Sequence, residues 1–251
     1  MRLTGPLESA ALLTVLPVPV RATASTRGVL PWAPLVGLLL GGAATGVAVL
    51  GARWVSPLAG AVLAVTVLAL LTRGLHLDGL ADTADGLGPL RDRDRALQVM
   101  HSSDVGPFGV VTVVLVLLLQ IACLAALLAE TDGWLALWTA VTVARLALAR
   151  NGLPGVGMAE GSSLGAAVQR TVSVPWFAGS VVVLLGLLAL ATAGNLREAV
   201  ALAGSGAAGV LAAELVHRRA RRRLGGVTGD VMGAMAETAT AATLLVAAVL
   251  R

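Results

Sequence analysis

Six or seven apolar segments recur along the chain, at about 33–52, 57–75, 106–129, 134–150, 174–193, 197–216 and 233–250. A membrane span needs about 20 apolar residues. Inside lipid, backbone N–H and C=O groups must be satisfied within the structure, which leaves helices or closed barrels. These runs lack the alternation of strands. They predict an all-α, polytopic transmembrane bundle of about six or seven spans. The chain is 57% hydrophobic and only 13% charged, with a mean hydropathy of +0.88. Soluble domains carry about 25% charged residues. Residues 1–251 are expected to form one integral-membrane catalytic domain. Gly5 to Val20 is apolar but short. It predicts a surface-lying or re-entrant helix ending at Leu16-Pro17-Val18-Pro19. Those prolines break the stretch early, so no cleaved signal peptide is expected.

Arginines set the orientation, since no lysine is present. The connection 76–105 carries Arg91, Arg93 and Arg95. The connection after Arg150 carries Arg170, and 217–232 carries Arg218, Arg219, Arg221, Arg222 and Arg223. A seven-span arrangement puts all three on one side, which is then cytoplasmic. The opposite turn, Glu130 to Gly133, has no basic residue; Arg53 and Arg197 are the exceptions on that side. The net charge of +4 is modest and sits at span ends, so no nucleic-acid partner is expected. The single Cys123 excludes an internal disulfide framework.

Against this background the acids stand out. Asp78, Asp82 and Asp85 lie at i, i+4 and i+7, on one helix face. Three like charges repel, and near a membrane they are costly to desolvate. A shared hard cation such as Mg²⁺ offsets both costs and takes substrate phosphates as further ligands. The competing reading is a solvated loop of Asp-Gly turns. The interleaved Leu77, Leu80, Ala81 and Leu87 favour an amphipathic helix. His76 serves either as a base or as a group that orients a neighbour.

Other polar groups fall on the same predicted side. Ser102, Ser103 and Asp104, before Pro107, read as a helix cap or as a diphosphate site at a helix N-terminus. Gly225-Gly226-Val227-Thr228-Gly229-Asp230 suits an anion nest, and Asp230 and Glu237 are seven residues apart. Arg145 lies inside an apolar span, which points to a carboxylate or phosphate partner. The arginine cluster reads first as a topology anchor. Glu160-Gly161-Ser162-Ser163-Leu164-Gly165 reads as a flexible loop able to close over a substrate.

The run His76-Leu77-Asp78-Gly79-Leu80-Ala81-Asp82-Thr83-Ala84-Asp85-Gly86 resembles the signature of the cobalamin synthase family, the adenosylcobinamide-GDP ribazoletransferases. The resemblance continues in Leu16-Pro17-Val18-Pro19, in Arg27-Gly28 through Pro34 to Gly41, and in Gly225 to Asp230 with Gly233, Ala234 and Glu237. It implies a Mg²⁺-dependent transferase of the bacterial plasma membrane. Such an enzyme joins α-ribazole, or its 5′-phosphate, to adenosylcobinamide-GDP and releases GMP. On this resemblance Asp78, Asp82, Asp85 and Asp104 are expected to hold metal. Asp82, Asp85 and His76 are expected to be catalytic. Arg95, Arg145, Ser103, Gly226, Thr228, Asp230 and Glu237 are expected to bind substrate. The pattern implies an acid at Ser102, whereas here the acid is Asp104. The site is expected to face the cytoplasm, and association with itself or with other corrinoid-assembly enzymes is a further expectation. The rival classes are a phospholipid-making CDP-alcohol phosphotransferase and a cation-coupled transporter. A transporter predicts acids near span centres and inverted repeats.

Overall fold

The structure, a computed structural model, describes residues 4–19, 25–88, 91–102, 104–130, 132–160 and 162–250. The described residues form helices and no strand, with one isolated bridge pairing Met158 and Val227. The chain begins with α1 (Gly5–Leu13), then α2 (Val29–Trp54) and α3 (Pro57–Leu71). The acid-bearing α4 (Leu75–Leu87) and α5 (Arg93–Met100) follow. Next come α6 (Pro107–Leu128), α7 (Trp134–Ala149) and the short α8 (Ser163–Val168). The chain closes with α9 (Val174–Ala191), α10 (Leu196–Leu224) and α11 (Gly229–Leu250).

Five of these, α2, α6, α9, α10 and α11, are long and apolar enough to cross a membrane. A sixth is reached only by adding α4 to α3, and those two meet at 89°. The bend comes from two successive left-handed residues, Arg73 (φ 56°) and Gly74 (φ 67°). An L-residue rarely takes that conformation, and glycine takes it freely. Arg73 is held there by its guanidinium, which donates to the Leu12 carbonyl at 2.9 Å. The straight apolar segment expected to run to residue 75 therefore stops at Leu71, and α4 turns away from α3 at nearly a right angle to pack on α6 and α11.

α7 is only 16 residues long, and every residue from 135 to 149 except Trp138 is buried. It forms the centre of the bundle. The expected short N-terminal helix is α1, and it is pinned to the start of α2. The buried Glu8 accepts the Gly28 amide at 2.7 Å, and Ser9 donates to the Val29 carbonyl at 2.8 Å.

One boundary differs from expectation in an informative way. The arginine cluster at 218–223 lies inside α10, which continues to Leu224, rather than in a connection. Cations in a last helical turn are favoured by the exposed carbonyl end. Gly225, at φ 76°, then ends the helix in the left-handed conformation that only glycine adopts easily.

A candidate acid-lined phosphoryl-transfer site

The three aspartates of α4 do share a face, but they are graded by depth. Asp78 is exposed, Asp82 is half-buried and Asp85 is only 5% exposed. The inner end is fixed. Asp85 Oδ2 accepts the Gly106 amide at 2.8 Å, and Oδ1 accepts the Gly109 amide at 3.0 Å. A Cβ at either glycine would stand 2.4 Å from an Asp85 carboxylate oxygen. The first turn of α6 therefore rests on Asp85. Arg91 Nη1 also donates to the Asp85 carbonyl. This corrects one expectation. The N-terminus of α6, read as a seat for a diphosphate, is already occupied by an internal carboxylate.

The open end of the stripe gains a partner from α11. Gly79 sits where the helices cross, and a Cβ there would meet the Asp230 carbonyl at 2.6 Å. Across the same crossing, a Cβ at Gly233 would meet the His76 carbonyl at 3.1 Å. The contact brings Asp230 into electrostatic range of Asp78 and Asp82. Thr228 Oγ1 accepts the Val231 amide at 3.2 Å and donates to Asp230 Oδ2 at 3.3 Å. Thr228 thus starts α11 and steers Asp230, while being itself buried. Partial burial and the negative charges of Asp78, Asp230 and Asp85 push Asp82 from 3.8 up to about 7. Three acids in mutual range repel one another, and that is the arrangement a cation relieves.

Among the described residues, no three His, Cys, Asp or Glu side chains are placed to hold a metal ion by themselves. The expected four-aspartate set is therefore not assembled here. Asp85 is turned to α6, and Asp104 is exposed in the loop before that helix. The donors that remain, Asp78 and Asp82 with Asp230 beside them, do fit Mg²⁺. That ion usually takes one or two carboxylates and fills its shell with water and substrate phosphates.

The other expected residues fall into three groups. Arg145 is 3% exposed and belongs to an interior cluster with Glu237 and Gln120. Gln120 Nε2 donates to Glu237 Oε2 at 2.9 Å, beside a cavity of about 20 Å³ that Arg145 also lines. Glu237 lies within electrostatic range of Arg145. His76 is 3% exposed, and its Nε2 has no hydrogen-bond partner among the described residues. Arg95 is exposed on α5 and bonds along its own helix, to Gln98 Oε1 at 2.6 Å. Gly226 is packed so that a Cβ would lie 2.2 Å from the Met158 carbonyl carbon. Its role is close approach of two backbones, since Ala159 donates to the Val227 carbonyl and Val227 to the Gly157 carbonyl. Ser103 lies outside the described residues, as does Gly161 of the expected closing loop.

Several contributors were not foreseen. His101 stands within electrostatic range of Asp230. Arg219 and Arg223 donate to the carbonyls of Leu87 and Arg91, at 3.3 and 3.0 Å. The arginine end of α10 thereby grips the chain leaving α4, and Arg93 pairs with Glu160 at 3.3 Å. The density of arginine at that end was the available signal, but its targets are backbone carbonyls, which no residue pattern marks.

A polytopic helical bundle with aspartates gathered at one end has the form of an integral-membrane transferase. The chain belongs to the cobalamin-5-phosphate synthase family, whose model matches residues 6–248. It is 40% identical to an adenosylcobinamide-GDP ribazoletransferase of Frankia casuarinae, over 94% of this chain and 91% of that one. The enzyme of the same name from a Nocardioides species is 43% identical, over 93% of each chain. That of Chlorobaculum tepidum is 37% identical, over 98% of this chain and 95% of the other. No solved structure matches.

Proposed function

We propose that the acid-lined end of this bundle joins α-ribazole, or its 5′-phosphate, to adenosylcobinamide-GDP, with GMP as the leaving group. The observation that carries the reading is the crossing of α4 and α11 at Gly79, which gathers Asp78, Asp82 and Asp230. In the reaction, the ribazole oxygen forms a bond to the phosphorus that bears cobinamide. The bond from that phosphorus to the GMP oxygen breaks. The ribazole proton passes to a carboxylate, and Asp230, steered by Thr228, is the group assigned to it. Asp78 and Asp82 would hold Mg²⁺, which would supply positive charge to the diphosphate and to the departing GMP; one such electrostatic contribution is worth about 3–4 kcal/mol. Asp85 positions the stripe through α6 rather than meeting the substrate.

The arginines at the ends of α5 and α10 support a cytoplasmic orientation for this end, in the plasma membrane. The test is GMP release from adenosylcobinamide-GDP by the purified protein in liposomes. Release that needs both Mg²⁺ and α-ribazole is expected. Release that is independent of either would overturn the reading.

A further inference from the structure

A cavity of about 90 Å³ opens beside the acid cluster and shares Asp230 with it. Its walls come from α1, α2, α4, α7, α8 and α11, with Leu30, Leu148, Val168 and Met232 on the apolar side. His76 and Asp230 are its two ionisable members. The walls are well held. Leu30, Leu148, Val168 and Met232 are each at most 5% exposed, and α1 is locked to α2 through Glu8 and Gly28.

We propose that this cavity receives the benzimidazole ring of the acceptor nucleoside and sets which base the enzyme accepts. The proposal rests on the transferase reading above, and the chemistry of the three reacting parts selects the occupant. Guanine and the amide-rich rim of a corrinoid carry many donors and acceptors. Leucine, valine and methionine walls would leave those groups unsatisfied, which is costly. The dimethylated edge of a benzimidazole carries no hydrogen-bonding group, and its burial is favoured. The cavity size suits that ring edge and leaves the ribose outside. The base offers one free ring nitrogen, and the cavity offers one buried side chain with an unpartnered atom, His76 Nε2. A ring seated here, with its ribose toward Asp230, presents the nucleoside hydroxyl at the acid cluster. His76 is then a substrate-orienting residue rather than a proton carrier. α1 and α8, which cross nothing, gain a purpose as walls.

The test is a competition between α-ribazole and the riboside of unsubstituted benzimidazole, read as the ratio of kcat/KM for GMP release from adenosylcobinamide-GDP with Mg²⁺. Leu148→Phe or Val168→Leu, which fill the cavity, should swing that ratio toward the smaller base by about 10-fold or more, the scale for one or two methyl groups in an apolar pocket. The KM for adenosylcobinamide-GDP should stay within about twofold, well below the tenfold that 1.4 kcal/mol represents. Leu30→Ala enlarges the same cavity and should move the ratio the other way, which keeps the test open if the filled variants do not accumulate. A folded variant of either kind with an unmoved ratio overturns the proposal. So does an equal rise in KM for both substrates. A wild-type protein that releases no GMP with either riboside overturns the transferase reading itself, and the proposal with it.

Discussion

Asp85 accepts the amide of Gly109 at 3.0 Å, so a residue of the acid signature serves as the foundation of a membrane span. An asparagine keeps one of the two oxygens, so the change leaves one of the two glycine amides without an acceptor and sets an NH2 donor against it. Asp85→Asn should cost about 1–3 kcal/mol, seen as a lower melting temperature in detergent. Gly109→Ala should lower it too, because the new methyl would lie 2.4 Å from Asp85 Oδ2. A wild-type melting temperature for Asp85→Asn would disprove the foundation role.

Asp82 is expected to behave in the opposite way. Asp82→Asn should reduce turnover by about 100-fold or more, the scale for losing one preorganised electrostatic group. It should not lower the melting temperature, since it removes a charge from a repelling set. Turnover near wild type at saturating Mg²⁺ would sink the shared-cation assignment.

The same repulsion sets a pH dependence. Asp82 is raised above its ordinary value of 3.8, to about 7 in the folded protein. A raised acid favours the fold while protonated in both states, and that contribution is lost as pH climbs through the folded value. Without divalent cations, the melting temperature should therefore fall between about pH 4 and pH 7. Mg²⁺ should recover it at pH 8 and have little effect at pH 5. In Asp82→Asn the metal-dependent part should shrink. A Mg²⁺ effect equal at both pH values would refute the linkage.

Topology is open to labelling. On a Cys123→Ala background, single cysteines at the exposed Asp94 and Arg222 should resist impermeant maleimide in intact cells, and one at the exposed Glu130 should react. Reaction at either of the first two from outside would break the cytoplasmic assignment.

Much of this architecture was legible in the residues. The apolar runs located the helices, because lipid forces each run to satisfy its own backbone. The spacing of Asp78, Asp82 and Asp85 located α4, since a 3.6-residue period needs no distant partner. What stayed hidden depended on contacts made far along the chain. The spacing treats the three acids alike, yet Gly106 and Gly109 take one of them. The right-angle turn at Arg73-Gly74 arises from an arginine anchored on α1. Gly225 and Gly226 read as an anion nest, but one ends a helix and the other admits a neighbouring backbone. In each case the same residue type satisfies two roles, and only the partner decides between them.

The short central helix has a consequence for the lipid environment. α7 has 16 residues, about 24 Å at 1.5 Å per residue, which is less than the roughly 30 Å of a hydrocarbon core. A helix in contact with acyl chains would answer that deficit by thinning the bilayer around it. α7 meets protein on nearly every side, so it has no such mismatch to settle. Bilayer thickness then acts on the outer shell, above all on α6 and α9, whose surfaces carry exposed leucines and valines. The helix that carries Arg145 and packs against α11 is insulated from it.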